Sequence, residues 1–387
     1  MAEVTDIRKV WKKEKRRKRI WQFIGLSVVI ALIVIIACNW SAISSFFTLP
    51  DPEKDLARPV AALPAELGGT KLCQLISDEN GLLVLHDVGA DRYAGNMKSY
   101  AHYAHSMSDP RAAMNGKWTV LYTPGASKVI LFCDDRLALD LTEEDVVLQA
   151  AVAKNGYTAV ATASPLYSTT LKVRSESGKE LFKMETAEQI TSLAFHGNGR
   201  TFAAGSISTK EGRLMGCVRQ LQVNREKEDW SVALENEWVL SAAYRKDGSL
   251  AVVGSEHLYL FSSAGKQLAV YEYPTELLRA VNNDRCTMLA FEDKNAADTR
   301  IVLLDARLKQ LCDTAVPGSL RGISLSADQG MAVTDETIRR FGPDGKVAAS
   351  YVTDGSIRYA AWLDGRCIGI SDLQIDELRE IEASVKK

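Results

Sequence analysis

Histidines and adjacent carboxylates are the side chains of this sequence whose types and spacing could do chemistry. His102 and His105 stand three residues apart in "YAHYAHS", and two imidazoles this close could begin a metal site. On a strand they would point to opposite faces, so we interpret both as structural or solvated histidines. Asp134-Asp135 and Glu143-Glu144 could imitate the acid and base of a glycosidase. Adjacent acids are more typical of a solvated loop, which is our interpretation of both pairs.

Other catalytic signatures are not matched by the sequence. The turn "SSAGKQ" lacks the upstream glycine and the following Ser or Thr of a phosphate-binding loop. No G-x-S-x-G stretch occurs, and the five histidines are too scattered to nominate a triad base. The four tryptophans beyond residue 40 do not recur in register, as residues docking a quinone cofactor would. We therefore predict no enzyme activity, no cofactor and no metal site. An envelope hydrolase or quinoprotein-like enzyme, with its site in a central channel, is the alternative.

One segment has the composition of a binding surface. "TASPLYSTTLKV", residues 162–173, places a proline, an aromatic side chain and several hydroxyls between two strand-like runs. Loops held by a rigid scaffold often carry recognition residues, although an ordinary long turn would have the same composition. The candidate recognition residues are Pro165, Tyr167, Ser168 and Thr169.

These residues must be positioned by elements that repeat along the chain. Apolar runs follow Asn/Asp-Gly turns or related turns in "ENGLLVLH", "MNGKWTVLY", "KNGYTAVAT", "GNGRTFAAG", "KDGSLAVVG", "NDRCTMLAF", "DQGMAVTD" and "LDGRCIGIS". The turn residues at 81, 116, 156, 199, 248, 285, 330 and 365 lie about 41 residues apart on average. A second hairpin, as in "LYLFSSAGKQLAVYEY" from residue 258, recurs from residues 171, 301 and 338.

A unit of about 40 residues with four short strands is the signature of a β-propeller blade. We predict an all-β propeller of seven or eight four-stranded blades, and the eight turn signals favour eight. A β-sandwich would not supply eight similar units, and an open solenoid would leave edge strands uncovered. The last unit holds only three strands, so we expect a strand from residues 56–75 to complete it.

The N-terminal region has the pattern of a membrane anchor. Residues 8–19 carry nine Lys or Arg, and the next 21 residues, 20–40, have no charge and can span a bilayer as a helix. The basic flank predicts a signal anchor in the plasma membrane, with a cytoplasmic N-terminus and an extracytoplasmic C-terminal domain. Acylation of Cys38 after "IIAC" is the alternative. The residues flanking the predicted anchor are Arg16, Arg17, Arg19, Trp21 and Trp40.

The predicted domain organisation follows from these segments. Residues 1–19 form a basic cytoplasmic tail, 20–40 a transmembrane helix, 41–70 a stalk with four prolines, and 71–387 the exported propeller. The six cysteines beyond Cys38 show no disulfide framework, and we predict buried thiols for most of them. The net charge is −2 for the whole chain, and the part that follows the basic tail is acidic, which argues against nucleic acid as a partner.

The chain resembles a family of single-span bacterial membrane proteins of unknown function, mostly from Gram-positive anaerobes. The resemblance rests on the basic tail and anchor, on "VVLQAAVAKNGYTAVATASPLYSTTLKVRSESGKEL" (146–181) and on the following "ITSLAFHGNGRTFAAG". It implies an ectodomain similar to WD40-type or quinoprotein-type propellers and brings no activity with it. We therefore expect a non-catalytic binding or scaffold module at the cell envelope. Its expected partners are the lipid bilayer through residues 20–40 and an envelope protein or wall polymer.

Overall fold

The computed structural model of the chain describes residues 63–78, 81–293 and 298–381, all within the second of two units, Pro59–Lys387. Within these ranges no helix is long and apolar enough to cross a membrane. The predicted basic tail and span, with Arg16, Arg17, Arg19, Trp21 and Trp40, lie outside the described residues.

The described residues form strands in eight four-stranded antiparallel sheets, which are the blades of a β-propeller. The first strand, β1 (Ala65–Glu66), belongs to the last blade. Blade 1 contains β2 (Leu72–Ser77), β3 (Gly81–His86), β4 (Gly89–Ala94) and β5 (Ser99–Ala104). Blade 2 contains β6 (Arg111–Asn115), β7 (Trp118–Tyr122), β8 (Lys128–Cys133) and β9 (Arg136–Thr142). Blade 3 contains β10 (Val147–Val152), β11 (Thr158–Ala163), β12 (Thr169–Arg174) and β13 (Glu180–Thr186). Blade 4 contains β14 (Gln189–Phe195), β15 (Thr201–Lys210), β16 (Arg213–Gln222) and β17 (Trp230–Glu235).

The remaining blades follow in chain order. Blade 5 contains β18 (Ser241–Tyr244), β19 (Leu250–Val253), β20 (His257–Phe261) and β21 (Gln267–Glu272). Blade 6 contains β22 (Leu277–Asn282), β23 (Thr287–Glu292), β24 (Asp298–Leu304) and β25 (Gln310–Pro317). Blade 7 contains β26 (Leu320–Ser326), β27 (Gln329–Thr334), β28 (Ile338–Phe341) and β29 (Val347–Tyr351). Blade 8 contains β30 (Tyr359–Leu363), β31 (Arg366–Ile370), β32 (Gln374–Glu377) and β1. The prediction of eight blades is therefore confirmed.

Blade 8 closes the ring by combining both ends of the propeller sequence. Its first three strands come from the C-terminal unit, and β1 pairs antiparallel with β32, with Ala65 opposite Ile375. The expected closing strand from residues 56–75 is thus present. Residues 65–70, which the predicted organisation places at the end of the stalk, supply this strand and most of the connection to β2.

The core consists of eight apolar clusters, one between each pair of neighbouring blades. Ile368 and Ile370 of blade 8, for example, pack with Leu82 and Val84 of blade 1. The other seven clusters join blades 1–2, 2–3, 3–4, 4–5, 5–6, 6–7 and 7–8. Because each blade is covered on both sides, its second strand is largely buried and mostly apolar, as in "LAVV" of β19. No blade can bury its faces without both neighbours.

We call the four strands of each blade A to D in their order across the sheet, so that blade 1 has β2 as strand A and β5 as strand D, and blade 8 has β30 as strand A and β1 as strand D. Strand A lies nearest the channel and strand D at the rim, since the first strands of neighbouring blades contact one another. In an antiparallel meander, successive connections fall at alternate ends of the strands. The AB and CD turns therefore lie on one face of the disc, which we call the turn face. The BC loops and the DA connections between blades lie on the other, which we call the connector face.

The turn face is built from a repeated hairpin geometry. In seven AB or CD turns the first residue donates its N–H to the fifth carbonyl, and the fourth donates to the first carbonyl. The fourth residue has a left-handed φ in all seven turns and is glycine in five of them. At Gly265 a Cβ would also lie 2.7 Å from the Trp230 ring. The seven turns span residues 94–98, 153–157, 175–179, 245–249, 262–266, 305–309 and 342–346.

Candidate functional site

The connector face carries a set of exposed apolar side chains. They come from the BC loops of blades 1, 3 and 8 and from the connections between blades 2–3, 4–5 and 7–8. None of the described AB and CD turns carries an exposed large apolar residue. Leu166 is the most exposed, at 89%, and Trp238 is 48% exposed. The set comprises Val88, Val146, Leu166, Tyr167, Trp238, Leu240, Val352 and Leu373. Exposed apolar side chains also occur on strands, for example Leu137 and Leu268, but among the described loops and turns they are confined to the connector face. Such a concentration is typical of a protein interaction site.

The predicted recognition loop forms part of this face as the BC loop of blade 3. Pro165, Tyr167 and Ser168 are exposed there, and the Tyr167 N–H donates to Ser164 Oγ at 3.2 Å. Thr169 differs from its neighbours because it is the fully buried first residue of β12. Its Oγ1 accepts the N–H of Ile190 at 3.1 Å, so this hydroxyl joins blades 3 and 4 and is not available to a ligand.

The connector face is also strongly acidic. Its described loops and connections contain fifteen Asp or Glu and only two Lys or Arg, Lys71 and Arg358. The described AB and CD turns contain thirteen acids and fourteen Lys or Arg. The two faces therefore differ in electrostatic character as well as in apolar exposure.

Three of the connector-face acids are buried or partly buried and tie one blade to the next. Glu143 is buried in the connection between blades 2 and 3 and binds Arg174 of strand C with both carboxylate oxygens, one at 2.9 Å. Lys172 Nζ lies 3.9 Å from Glu143 Oε2. Glu188 pairs with Arg219 of the next blade through one carboxylate oxygen, Oε2. Our interpretation of Glu143-Glu144 as a solvated pair holds for Glu144 but is wrong for Glu143, which is ion-paired.

The third of these acids, Glu237, is fully buried between blades 4 and 5. It accepts hydrogen bonds from the Ser255 hydroxyl, the Glu256 N–H and the Tyr259 hydroxyl, each at 3.1 Å, and contacts His257 Nδ1 at 2.5 Å. Burial and the Glu237 charge raise the pKa of the Tyr259 hydroxyl. This network fixes the backbone that displays Trp238 and Leu240, whose own side chains remain exposed.

Two histidines of blade 1, His86 and His102, hydrogen-bond to the same carboxylate, that of Asp91. Asp91 accepts from His86 Nε2 at 3.1 Å and from His102 Nδ1 at 2.7 Å. Burial raises the pKa of Asp91, but the hydrogen bonds from the two histidines outweigh it, so the net shift is downward. His105 is half-buried, and burial lowers its pKa. In the part of the chain that the structure describes, no group of three or more His, Cys, Asp and Glu side chains is placed to hold a metal ion.

The turn face has a cavity of about 500 Å³ at the mouth of the channel. AB turns of seven blades line it, and its charged side chains are Asp78, Lys154, Arg245, Lys246, Asp284 and Arg285. Lys246 lies 3.6 Å from Asp284, so part of this charge is neutralised within the lining. The cavity is polar and mixed in charge, and it could accept a small polar molecule.

Arg245 has a structural role at this mouth. It is only 3% exposed, and its guanidinium donates to the Cys286 carbonyl at 2.8 Å and to Thr287 Oγ1 at 2.6 Å, which joins blades 5 and 6. Burial lowers the pKa of this guanidinium. Because its nitrogens are directed at the neighbouring blade, Arg245 does not offer a free charge to a ligand.

Solved structures that resemble this chain are β-propellers with low sequence identity. BamB from Moraxella catarrhalis matches with a TM-score of 0.53 and 13% identity, covering 81% of this chain and 99% of that one. AztD from Citrobacter koseri matches with a TM-score of 0.52 and 10% identity, covering 73% and 87%. Raptor from Chaetomium thermophilum matches with a TM-score of 0.50 and 13% identity, covering 73% of this chain and 28% of that one. At these identities the likeness shows the fold alone.

Sequence comparison adds a family but no characterised relative. A search of curated proteins finds no match to the chain. A family profile matches residues 69–379, which include all but the first two-residue strand of the propeller. The chain therefore belongs to DUF5711, a family of unknown function.

Proposed function

We propose that this chain is a non-catalytic binding module of the cell envelope, anchored by residues 20–40 and exposing its propeller outside the cytoplasmic membrane. The observation that carries the proposal is the set of eight exposed apolar side chains on the connector face. Leaving such side chains in water is unfavourable, and the described turns of the other face expose none of this size. This difference between the faces favours a partner that covers the connector face. The basic flank before residue 20 supports the proposed orientation.

A propeller suits this task because its loops are held by a rigid frame. The buried glutamates Glu143 and Glu237 anchor the connections that display Val146 and Trp238, so little conformational entropy is lost when a partner binds. The charge of this face disfavours nucleic acid, whose phosphates need a basic surface.

Site-specific photocrosslinking in intact cells tests the proposal. A photoreactive residue placed at Leu166, Tyr167 or Leu373 of the full chain should give the same discrete crosslinked product. The same residue at Ser263 or Asp364 on the turn face should not. Equal products from both faces, or none from the connector face, would contradict the proposed binding surface. Protease added to protoplasts should cleave the chain beyond residue 41 and spare the basic tail; the reverse pattern would refute the orientation.

The absence of catalysis is a separate part of the proposal. The full chain should give no turnover with glycosides, esters, peptides or alcohol and dye pairs. Turnover that a substitution at the channel mouth abolishes, such as Asp284→Asn, would favour the envelope hydrolase or quinoprotein-like alternative.

A further inference from the structure

We propose that the partner of the connector face is a polypeptide that presents lysine or arginine side chains beside apolar ones. This inference rests on the proposed binding function and names the chemistry of the partner. Two features of the face carry it together, namely the exposed apolar side chains and the ratio of fifteen acids to two Lys or Arg. Some of these acids are already paired within the fold, as Glu143 is with Arg174 and Asp372 is with Arg358. A partner must cover the apolar side chains and neutralise the exposed acids that remain, such as Glu144 and Glu256.

The apolar and acidic groups are neighbours in at least two places. In blade 3 the Ala163 N–H donates to the Val146 carbonyl at 2.8 Å, which joins the loop of Leu166 and Tyr167 to the connection containing Glu144. Glu144 is exposed. A cationic side chain can therefore approach this carboxylate while apolar neighbours on the same partner pack on Val146, Leu166 and Tyr167.

The second place lies between blades 4 and 5. The Trp238 N–H donates to Ser255 Oγ at 3.1 Å, so the connection bearing Trp238 and Leu240 lies directly against the loop bearing Glu256. The Glu256 side chain is exposed, and the Trp238 ring is half exposed. Two adjoining segments that display an exposed indole and an exposed carboxylate suit a lysine or arginine, because a ring face and a carboxylate both attract a cation.

Anionic partners fit this face poorly. A bilayer rich in anionic lipid, or a wall polymer that carries phosphates, would bring negative charge onto a surface that is already acidic. A purely apolar partner would leave exposed acids such as Glu144 and Glu256 without a neutralising charge at the edge of the interface. The charge pattern therefore selects a basic and apolar polypeptide.

A peptide array tests both features at once. The full chain, held in discs of zwitterionic lipid and labelled, is applied to four families of twelve-residue peptides: Lys with Leu, Lys with Ser, Glu with Leu, and Glu with Ser. Lys-with-Leu peptides should retain at least about ten times more protein than either Glu family, and retention should fall when salt is raised into the range that screens surface charge. Empty discs give the background.

Matched variants assign the retention to the connector face. Trp238→Ala with Leu166→Ala should reduce it about tenfold, whereas Leu268→Ala, which removes a 54% exposed side chain from an outer strand, should not. Glu144→Lys with Glu256→Lys should abolish the preference for Lys peptides. Glu226→Lys, an exposed acid in a CD turn, is the control and should leave it unchanged.

The outcomes separate this inference from the proposed function. Equal retention of Lys and Glu peptides that contain Leu, lost in Trp238→Ala, would overturn the cationic partner and keep the binding face. Retention that no connector-face variant changes would overturn both. No retention of any family, or stronger binding of the connector face to phosphatidylglycerol vesicles than to Lys-with-Leu peptides, would also overturn the inference.

Discussion

The turn face and the connector face of this propeller are built in opposite ways. Turns on the first face form hydrogen bonds within a few residues of one another and repeat the same five-residue geometry in seven places. Connections on the second face vary in length and depend on partners in the next blade, such as Arg174 for Glu143 and Tyr259 for Glu237. The hydrogen bonds that shape the regular face are local in the chain, whereas those that shape the irregular face require the neighbouring blade.

The two faces also differ in what they leave for a partner. Charges of both signs balance on the turn face, and polar groups line its central cavity. On the connector face an excess of acids surrounds apolar side chains that the fold itself does not cover. One blade can therefore present a rigid hairpin at one end and a binding surface at the other. Four changes to the chain test this difference, and the first should unfold both faces.

Deletion of residues 357–387 should abolish folding of the entire propeller. It removes β30, β31 and β32, and so uncovers the clusters that join blade 8 to blades 7 and 1. Edge strands and apolar faces would then be open to water. Circular dichroism and a thermal melt should show one cooperative loss or aggregation. A soluble truncated protein with nearly unchanged β-structure and melting temperature would contradict a closed ring.

Substitution of Arg174 by Met, at the connector face, should lower the unfolding free energy of the protein by about 3 kcal/mol. The reason is that Glu143 would remain buried without its bidentate partner. Lys183→Met is the matched control. It breaks an exposed ion pair with Glu185 on an outer strand and should cost below about 0.5 kcal/mol. Denaturant titration of both variants measures the difference. Similar costs would show that Glu143 is better solvated than its contacts indicate.

Gly365→Ala should cost about 1–2 kcal/mol and leave the connector face intact. Gly365 has φ of +77° in the AB turn of blade 8, and nothing lies within 4 Å of an added Cβ, so the cost comes from the backbone alone. Gly197→Ala, also without a neighbour at its Cβ and with no left-handed φ, should be nearly neutral. Retention on the Lys-with-Leu peptides should not change in either variant. Loss of retention in Gly365→Ala alone would show that the two faces are coupled.

Acid should weaken the ring closure slightly through Asp87. Hydrogen bonds from the side chain and backbone of Thr70 lower the pKa of Asp87 from 3.8 to about 2. Because the folded pKa is the lower one, this contribution is present above about pH 4 and is lost as pH falls toward 2. The melting temperature of wild type should therefore drop more than that of Asp87→Asn across this interval. Equal drops would exclude Asp87 as a contributor.

Most of the fold was readable from the sequence, whereas most of the site was not. An Asn/Asp-Gly pair indicates by itself a turn with a left-handed glycine, so Gly156 and Gly248 predict hairpins without information from other parts of the chain. The prediction that most cysteines are buried was too strong, since Cys286 and Cys367 are buried and the other four described ones are half-buried.

The predicted loop identified Pro165, Tyr167 and Ser168 as exposed residues of the connector face. Trp238, Leu240 and Leu373 carry no local sequence signal that separates them from core residues.

By itself, the sequence determined that the chain is a ring of repeated four-stranded units, because a hairpin's turn chemistry and a strand's apolar pattern are properties of a few adjacent residues. Only the tertiary structure decided which of those residues share a face. Val146 and Trp238 lie far apart in the chain, and Glu143 and Glu144 are adjacent yet one is buried and one exposed. Whether a side chain is buried, and on which face of the disc it lies, depends on how neighbouring blades pack. That packing consists of contacts between distant segments, which no single segment contains.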